Sequence, residues 1–271
     1  MGVVGAALVG CQLWDQAGSL GAVIRPTTAL GVAATTAAVA GWAAPALLRA
    51  RVLRTAICPK LAGIGQLGHI ALTFDDGPDP EGTPAVLDAL DQLGWRATFF
   101  MLGAQVTRHP DVAAAVVAAG HEAAVHGFSH RNHLTRGPAD VHRDVADAAS
   151  AVLGATGARP NWFRPPYGVL TLASLRAARR VGLRPVLWTA WGRDWEAHNP
   201  ARVADTVASH LRPGGTVLLH DSDCTARVTD SWRSTVQALP RLAALVDQWG
   251  CTVGPLRDHL ARRPSPTDPA P

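Results

Sequence analysis

Lysine is all but absent from this chain: Lys60 is the only one, and arginine supplies the rest of the basic charge. The net charge of +4 is mild, and no basic run is interleaved with aromatics, so the footprint of a nucleic-acid binder is missing. Cysteine is scarce as well. Cys11, Cys58, Cys224 and Cys251 form no C-x-x-C pair, which argues against a zinc knuckle built on cysteine. A disulfide between Cys224 and Cys251 would suit an exported protein; free buried thiols are the competing reading. There is no internal repeat. What is present is a composition with 48% hydrophobic and 17% charged residues, which describes a chain with a core and not a disordered one. Its 271 residues allow one large domain or two small ones.

Charge is missing altogether from Pro26 to Leu48. A helix of that length can cross a bilayer, for which about 20 residues suffice. The stretch is only weakly apolar, rich in Ala, Gly and Thr, and is flanked by Arg25 and by Arg49, Arg51 and Arg54. A second apolar stretch, Gly2 to Ile24, is interrupted by Asp15. Residues 1–60 are therefore read as an apolar N-terminal segment. It is a membrane anchor, an export signal with a small-residue site at Ala38-Val39-Ala40, or a helix packed on the protein itself. The flanking arginines favour a cytoplasmic side for the domain after them, whereas a sugar-polymer substrate favours an extracytoplasmic one. The expectation is a membrane-anchored or exported protein with its catalytic domain outside the cytoplasm. Residues 263–271 are proline-rich and read as a disordered tail.

Between these, residues 61–262 alternate strand-like and helix-like segments. Strands are expected at His69–Phe74, Arg96–Leu102, His121–Val125, Asn161–Phe163, Arg184–Ala190, Thr216–Leu219 and Cys251–Val253. Helices are expected at Thr83–Leu93 with a Thr-Pro start, Pro110–Ala119, Pro138–Leu153 closed by Gly154, Thr171–Val181, Pro200–Leu211 and Trp232–Trp249. Repeated strand–helix units imply an α/β fold with a parallel sheet, and about seven of them fit a barrel somewhat short of the usual eight.

The candidate chemistry sits where these strands end. Asp75 and Asp76 lie at the C-terminal end of the first strand, before the turn Gly77-Pro78-Asp79-Pro80. Adjacent carboxylates repel, and a cation or a guanidinium removes most of that cost. His126 and His130 are four apart, a spacing that lets two imidazoles grip one ion. Two nitrogens and one carboxylate oxygen suit zinc or another divalent transition metal, and three protein ligands leave a position open for water. Arg164, stiffened by Pro165 and Pro166, can hold a carboxylate. Asp194-Trp195 and His220-Asp221 come after two further strands. All of them fall at the strand ends where barrel active sites are built.

With these residues assembled, the chain resembles the NodB-homology polysaccharide deacetylases, carbohydrate esterase family 4, from about Gly68 to Pro255, with each family motif in order. The resemblance implies a distorted (β/α) barrel, Asp75 as catalytic base, and Asp76, His126 and His130 as metal ligands. It also implies that Arg164 orients Asp75 and that the Tyr167 backbone N–H faces the oxyanion. Asp194 would tune the catalytic histidine, Trp195 and Leu218 would line the acetyl pocket, and His220 would be the general acid. Two departures stand out. The family's Ser or Thr after the first metal-binding histidine is here Gly127, and its Gly-Asn before that histidine is Ala124-Val125. Both changes remove hydrogen bonds that would brace the ligand loop.

The function these residues imply is hydrolysis of N-acetyl groups on a peptidoglycan- or chitin-like glycan, with zinc-bound water as nucleophile. Deacetylation of a membrane lipid-linked sugar, or amide hydrolysis on a small nitrogenous compound, are alternatives of the same class. A non-catalytic, membrane-anchored glycan-binding domain is the alternative of another class.

Overall fold

The apolar alternation at His69–Phe74 becomes β1, His69–Asp75, the strand on which the sheet is built. The structure, a computed structural model, describes residues 39–196 and 199–261. Contacts divide the chain after Ala40, and the sheet with its helices belongs to the unit that starts at Gly41. The other strands are β2 Thr98–Met101, β3 Glu122–Val125, β4 Trp162–Phe163, β5 Arg184–Pro185, β6 Ala190–Trp191, β7 Thr216–His220 and β8 Thr252–Gly254. Their order is β5-β4-β3-β2-β1-β7-β6, with β8 paired to the first half of β1, and every pairing is parallel. Parallel strands put all their C-terminal ends on one rim, which is why the candidate residues share it. The helices are α1 Arg51–Ile57, α2 Gly82–Gln92, α3 Gly103–Arg108, α4 Pro110–Ala118, α5 Pro138–Thr156, α6 Leu172–Arg180, α7 Pro200–His210, α8 Ser231–Gln248 and α9 Leu256–His259. Apolar residues of helix and strand meet in the core: Phe74 stacks on Phe99 at 5.0 Å, beside buried Leu90, Val145 and Leu239. Burying one such side chain contributes about 1.5–3 kcal/mol.

The expected strand at Arg184–Ala190 is split, and the split closes the barrel. Its start, β5, pairs with β4 at one end of the sheet, and its end, β6, pairs with β7 at the other. The short link between them spans at most about 18 Å, so the sheet must curl until its ends meet. The link is not a strand because guanidinium groups occupy its carbonyls. Arg164 Nη2 donates to the Leu187 carbonyl at 2.8 Å, and Arg54 Nε and Nη2 donate to that of Trp188 at 3.0 and 2.6 Å. On the donor side, the Leu187 N–H reaches the Leu61 carbonyl at 2.7 Å.

Arg54 is thus a seam residue and not a membrane flank. It is 2% exposed, and burial together with the Arg164 charge pulls it down to about 10, still protonated at neutral pH. Around it, the chain from Ala44 to Arg49 is a 3₁₀ turn, broken at Ala50 from α1. Among the described residues no helix is long and apolar enough to cross a membrane. The uncharged stretch before Val39 lies outside them, as does the tail from residue 262.

Three other local expectations change. The Thr83-Pro84 start lies inside α2: the helix begins at Gly82, whose N–H is received by Asp79 Oδ1 at 2.7 Å, and the Thr83 hydroxyl donates to buried Asp221 at 2.5 Å. Gly154 does not close α5, which runs on to Thr156 and ends at Gly157 with φ 67°. An interior glycine costs only about 1 kcal/mol, whereas the left-handed position needs one. Finally, Cys224 and Cys251 are both free thiols; Cys224 Sγ lies by the Asp76 carbonyl and Cys251 Sγ by that of Leu67.

Candidate active site

Asp75 ends β1 opposite His220, the last residue of β7 and its register partner. Asp76 comes next in left-handed backbone, φ 79°, which turns its carboxylate away from the strand line. His126 leaves β3, and His130, also left-handed at φ 46°, closes the loop after it. Such backbone is costly for a residue with a side chain and is held by its surroundings.

The three converge. Asp76 Oδ1 lies 3.4 Å from His126 Nε2 and 3.5 Å from His130 Nε2. The geometry suits a metal ion in three ways. Asp76 Oδ1 is buried and accepts no hydrogen bond among the described residues, an arrangement that costs free energy unless a cation meets it. His126 Nδ1 sits 2.8 Å from the Arg164 carbonyl, which can only accept, so Nδ1 carries the proton and Nε2 presents its lone pair to Asp76. Burial pulls His130 down to about 4, so it is a neutral imidazole, the form that ligates. Burial also acts on Asp76, but the imidazoles and the Thr225 hydroxyl outweigh it and hold its carboxyl below the ordinary range.

Asp75 is the second carboxylate, and Arg164 settles the repulsion between the pair. Arg164 Nη1 donates to Asp75 Oδ1 at 2.6 Å and to Thr73 Oγ1 at 2.9 Å. The guanidinium is fully buried, 4.0 Å from the centre of the Phe100 ring. Asp75 Oδ2 points toward His126 Nε2, 3.7 Å away. Across the site, His220 Nδ1 is 2.9 Å from Asp194 Oδ1, and Asp194 Oδ2 receives the His220 N–H at 2.6 Å and the Thr235 hydroxyl at 2.7 Å. Burial disfavours a charged His220, but Asp194 first and then Asp76 push it up to about 9.

Eight of the residues expected from sequence line one cleft of about 380 Å³: Asp75, Asp76, His126, His130, Tyr167, Trp195, Leu218 and His220. That volume suits a small ligand. Arg164 and Asp194 stand behind it, each 0% exposed. Tyr167 sits in left-handed backbone, φ 60°, with its ring 4.5 Å from that of His130.

Several participants carried no local signal. Thr225, on a loop far along the chain, reaches Asp76, and Trp188 and Trp191 add aromatic wall. Asp144, on α5, braces the ligand loop. Its Oδ2 receives the Phe128 N–H at 3.0 Å, and its Oδ1 the Ser129 hydroxyl and Arg136 Nη1, each at 2.9 Å. Gly127 makes room for it: at φ 82°, a Cβ there would stand 2.7 Å from Asp144 Oδ2. The loop therefore keeps a brace despite the missing hydroxyl, supplied from a helix. Asp144→Asn should weaken metal binding about 10- to 100-fold, as loss of a supporting hydrogen-bond partner typically does. Competition with a chelating dye measures this, and an unchanged affinity in a folded variant would remove Asp144 from the account.

The polysaccharide deacetylase family model matches residues 65–186. A chitooligosaccharide deacetylase of Bradyrhizobium is 37% identical over 195 residues, 69% of this chain and 88% of that protein. A peptidoglycan-N-acetylglucosamine deacetylase of Listeria monocytogenes is 34% identical over 153 residues, 56% of this chain and 32% of that protein. Among solved structures, a family 4 carbohydrate esterase from Streptomyces lividans in complex with acetate is similar with a TM-score of 0.64 at 30% identity, covering 73% of this chain and 98% of that one. Fold, motif order and relatives matched over most of their length agree: this chain belongs to the polysaccharide deacetylases, the NodB-homology type of carbohydrate esterase family 4.

Proposed function

We propose that this chain hydrolyses N-acetyl groups on a chitin- or peptidoglycan-like glycan, with Asp75 as base and His220 as acid. The observation that carries the reading is the register of Asp75 with His220, which places acceptor and donor on neighbouring strand ends beside the metal triad. Zinc is the ion we assign, because two imidazole nitrogens and one carboxylate oxygen are a common catalytic zinc set. Held by Asp76, His126 and His130, a divalent ion supplies Lewis-acid activation of water and polarises the acetyl carbonyl.

The chain's own residues do the rest. Asp75 takes a proton from the attacking water, and Arg164 keeps its carboxylate charged and aimed. The Tyr167 N–H donates to the oxyanion that develops on the acetyl oxygen; one such donor is worth roughly 100-fold or more. Leu218 and Trp195 flank the acetyl methyl. His220 then protonates the departing nitrogen as its bond to carbon breaks, because an amine anion is a very poor leaving group. Water and amide become acetate and free amine, with every proton placed. Incubation with N-acetylated chito-oligosaccharides or peptidoglycan should release acetate, and chelation should stop it. Absence of acetate from both substrates would refute the proposal.

The His220–Asp194 pair gives a pH prediction. A histidine whose folded value is raised stays protonated to higher pH, so acid catalysis fails only as pH climbs through about 9. The same pair stabilises the fold fully below the ordinary histidine value of 6.5 and loses that stabilisation as pH rises to about 9. Asp194→Asn removes the largest raising influence and leaves the burial. The alkaline limb of the kcat profile should therefore move down by about one unit or more. An unmoved limb would show that His220 is not the acid.

A further inference from the structure

The cleft has a charged mouth that the deacetylation chemistry leaves unused. Arg49, Arg193 and Arg227 all line it, beside Trp191 and Trp195. They arrive from separate segments: the 3₁₀ turn before α1, the loop after β6, and the loop between β7 and α8. Two of the three lie beyond the matched residues 65–186 on one side, and the third lies before them. Arg49 Nε donates to the Tyr167 carbonyl at 3.1 Å, which fixes one edge of its guanidinium against the oxyanion loop. Arg193 is held in left-handed backbone, φ 53°. The Arg227 N–H donates to the Trp195 carbonyl at 3.3 Å, which anchors it beside that indole. Among the described residues only Arg193 has an acidic partner, Glu196 Oε1 at 2.8 Å.

The negative charges on the floor are already matched. Asp75 faces Arg164, and Asp76 belongs to the ion site. The mouth is left with surplus positive charge next to indole faces on which a sugar ring can stack. A neutral chitin-like chain has nothing to offer three guanidinium groups, whereas phosphate and carboxylate oxygens match their fork geometry.

Resting on the deacetylase reading, we propose that Arg49, Arg193 and Arg227 form an oxyanion subsite. It selects N-acetyl sugars that carry a phosphate or carboxylate near the reacting acetamide. The surplus charge also steers such substrates toward the cleft, an effect that salt weakens.

The test uses the full, metal-loaded chain with three probes: N-acetylated chitotetraose, N-acetylglucosamine 1-phosphate, and a glycan containing N-acetylmuramic acid. Binding is titrated and acetate release measured for each. An anionic probe should exceed its neutral counterpart roughly tenfold or more in affinity or kcat/KM, and rising salt should erode that preference. The stronger anionic arm tells phosphate from carboxylate. Arg227→Ala, whose side chain has no hydrogen bond among the described residues to lose, should collapse the ratio toward unity. Acetate released from every probe at similar kcat/KM, with a ratio indifferent to Arg227→Ala, overturns the subsite and leaves the deacetylase standing. Binding that favours an anionic probe and depends on Arg227, with acetate from none, keeps the subsite and overturns the deacetylase.

Discussion

Asp75→Asn should keep its metal and lose its turnover. Asparagine matches aspartate in shape and still offers Oδ1 to Arg164, so the triad of Asp76, His126 and His130 is undisturbed. An amide cannot take the proton from water, and a general base contributes roughly 100- to 10,000-fold. Acetate release should fall by that factor while metal content after dialysis stays at the wild-type level. The variant should also unfold more easily. Breaking a buried ion pair costs about 3–5 kcal/mol when the remaining charge is stranded. Here the cost should sit at the low end or below, because Arg164 keeps Thr73 Oγ1 and the Leu187 carbonyl. A variant with full turnover would dismiss Asp75 as base.

His126→Ala should release the ion. It removes one of three ligands and leaves Asp76, 1% exposed, with a carboxylate facing a gap. Metal content after dialysis should drop to background, and acetate release with it. A thermal readout separates lost binding from lost folding. A ligand that binds only the native state stabilises it by about 2.7 kcal/mol at a hundred times its Kd. Added zinc should therefore raise the wild-type Tm and leave that of His126→Ala in place. A variant that retains stoichiometric metal would end the assignment of this residue as a ligand.

Most of the rim could be read from the chain because each functional group there belongs to a short motif at the end of a strand. Parallel strands make sequence position equivalent to spatial position: a residue just past the end of a strand sits on the rim. That logic located Asp75, His126, Arg164, Asp194 and His220. It has no purchase on groups that act from elsewhere. Asp144 reaches its loop from the middle of a helix, and its partners include backbone N–H groups that no pattern marks. Thr225 and Arg227 lie on a loop with no periodicity. Arg49 and Arg54 sit at the border of an uncharged stretch, where arginine reads as a flank, and only packing reveals that one guanidinium closes a barrel. The split of the Arg184–Ala190 strand was equally hidden, since a segment with strand composition becomes a ladder only if its carbonyls are free.

That split ties catalysis to assembly. Arg164 clasps the Leu187 carbonyl with one nitrogen and the Asp75 carboxylate with another, so a single rigid plane joins the closing stave to the proton acceptor. An intermediate whose barrel still gapes has no guanidinium over Asp75, and its two neighbouring aspartates repel without relief. The enzyme therefore becomes chemically competent only at the moment the cask is hooped, and a half-finished molecule cannot cut acetyl groups.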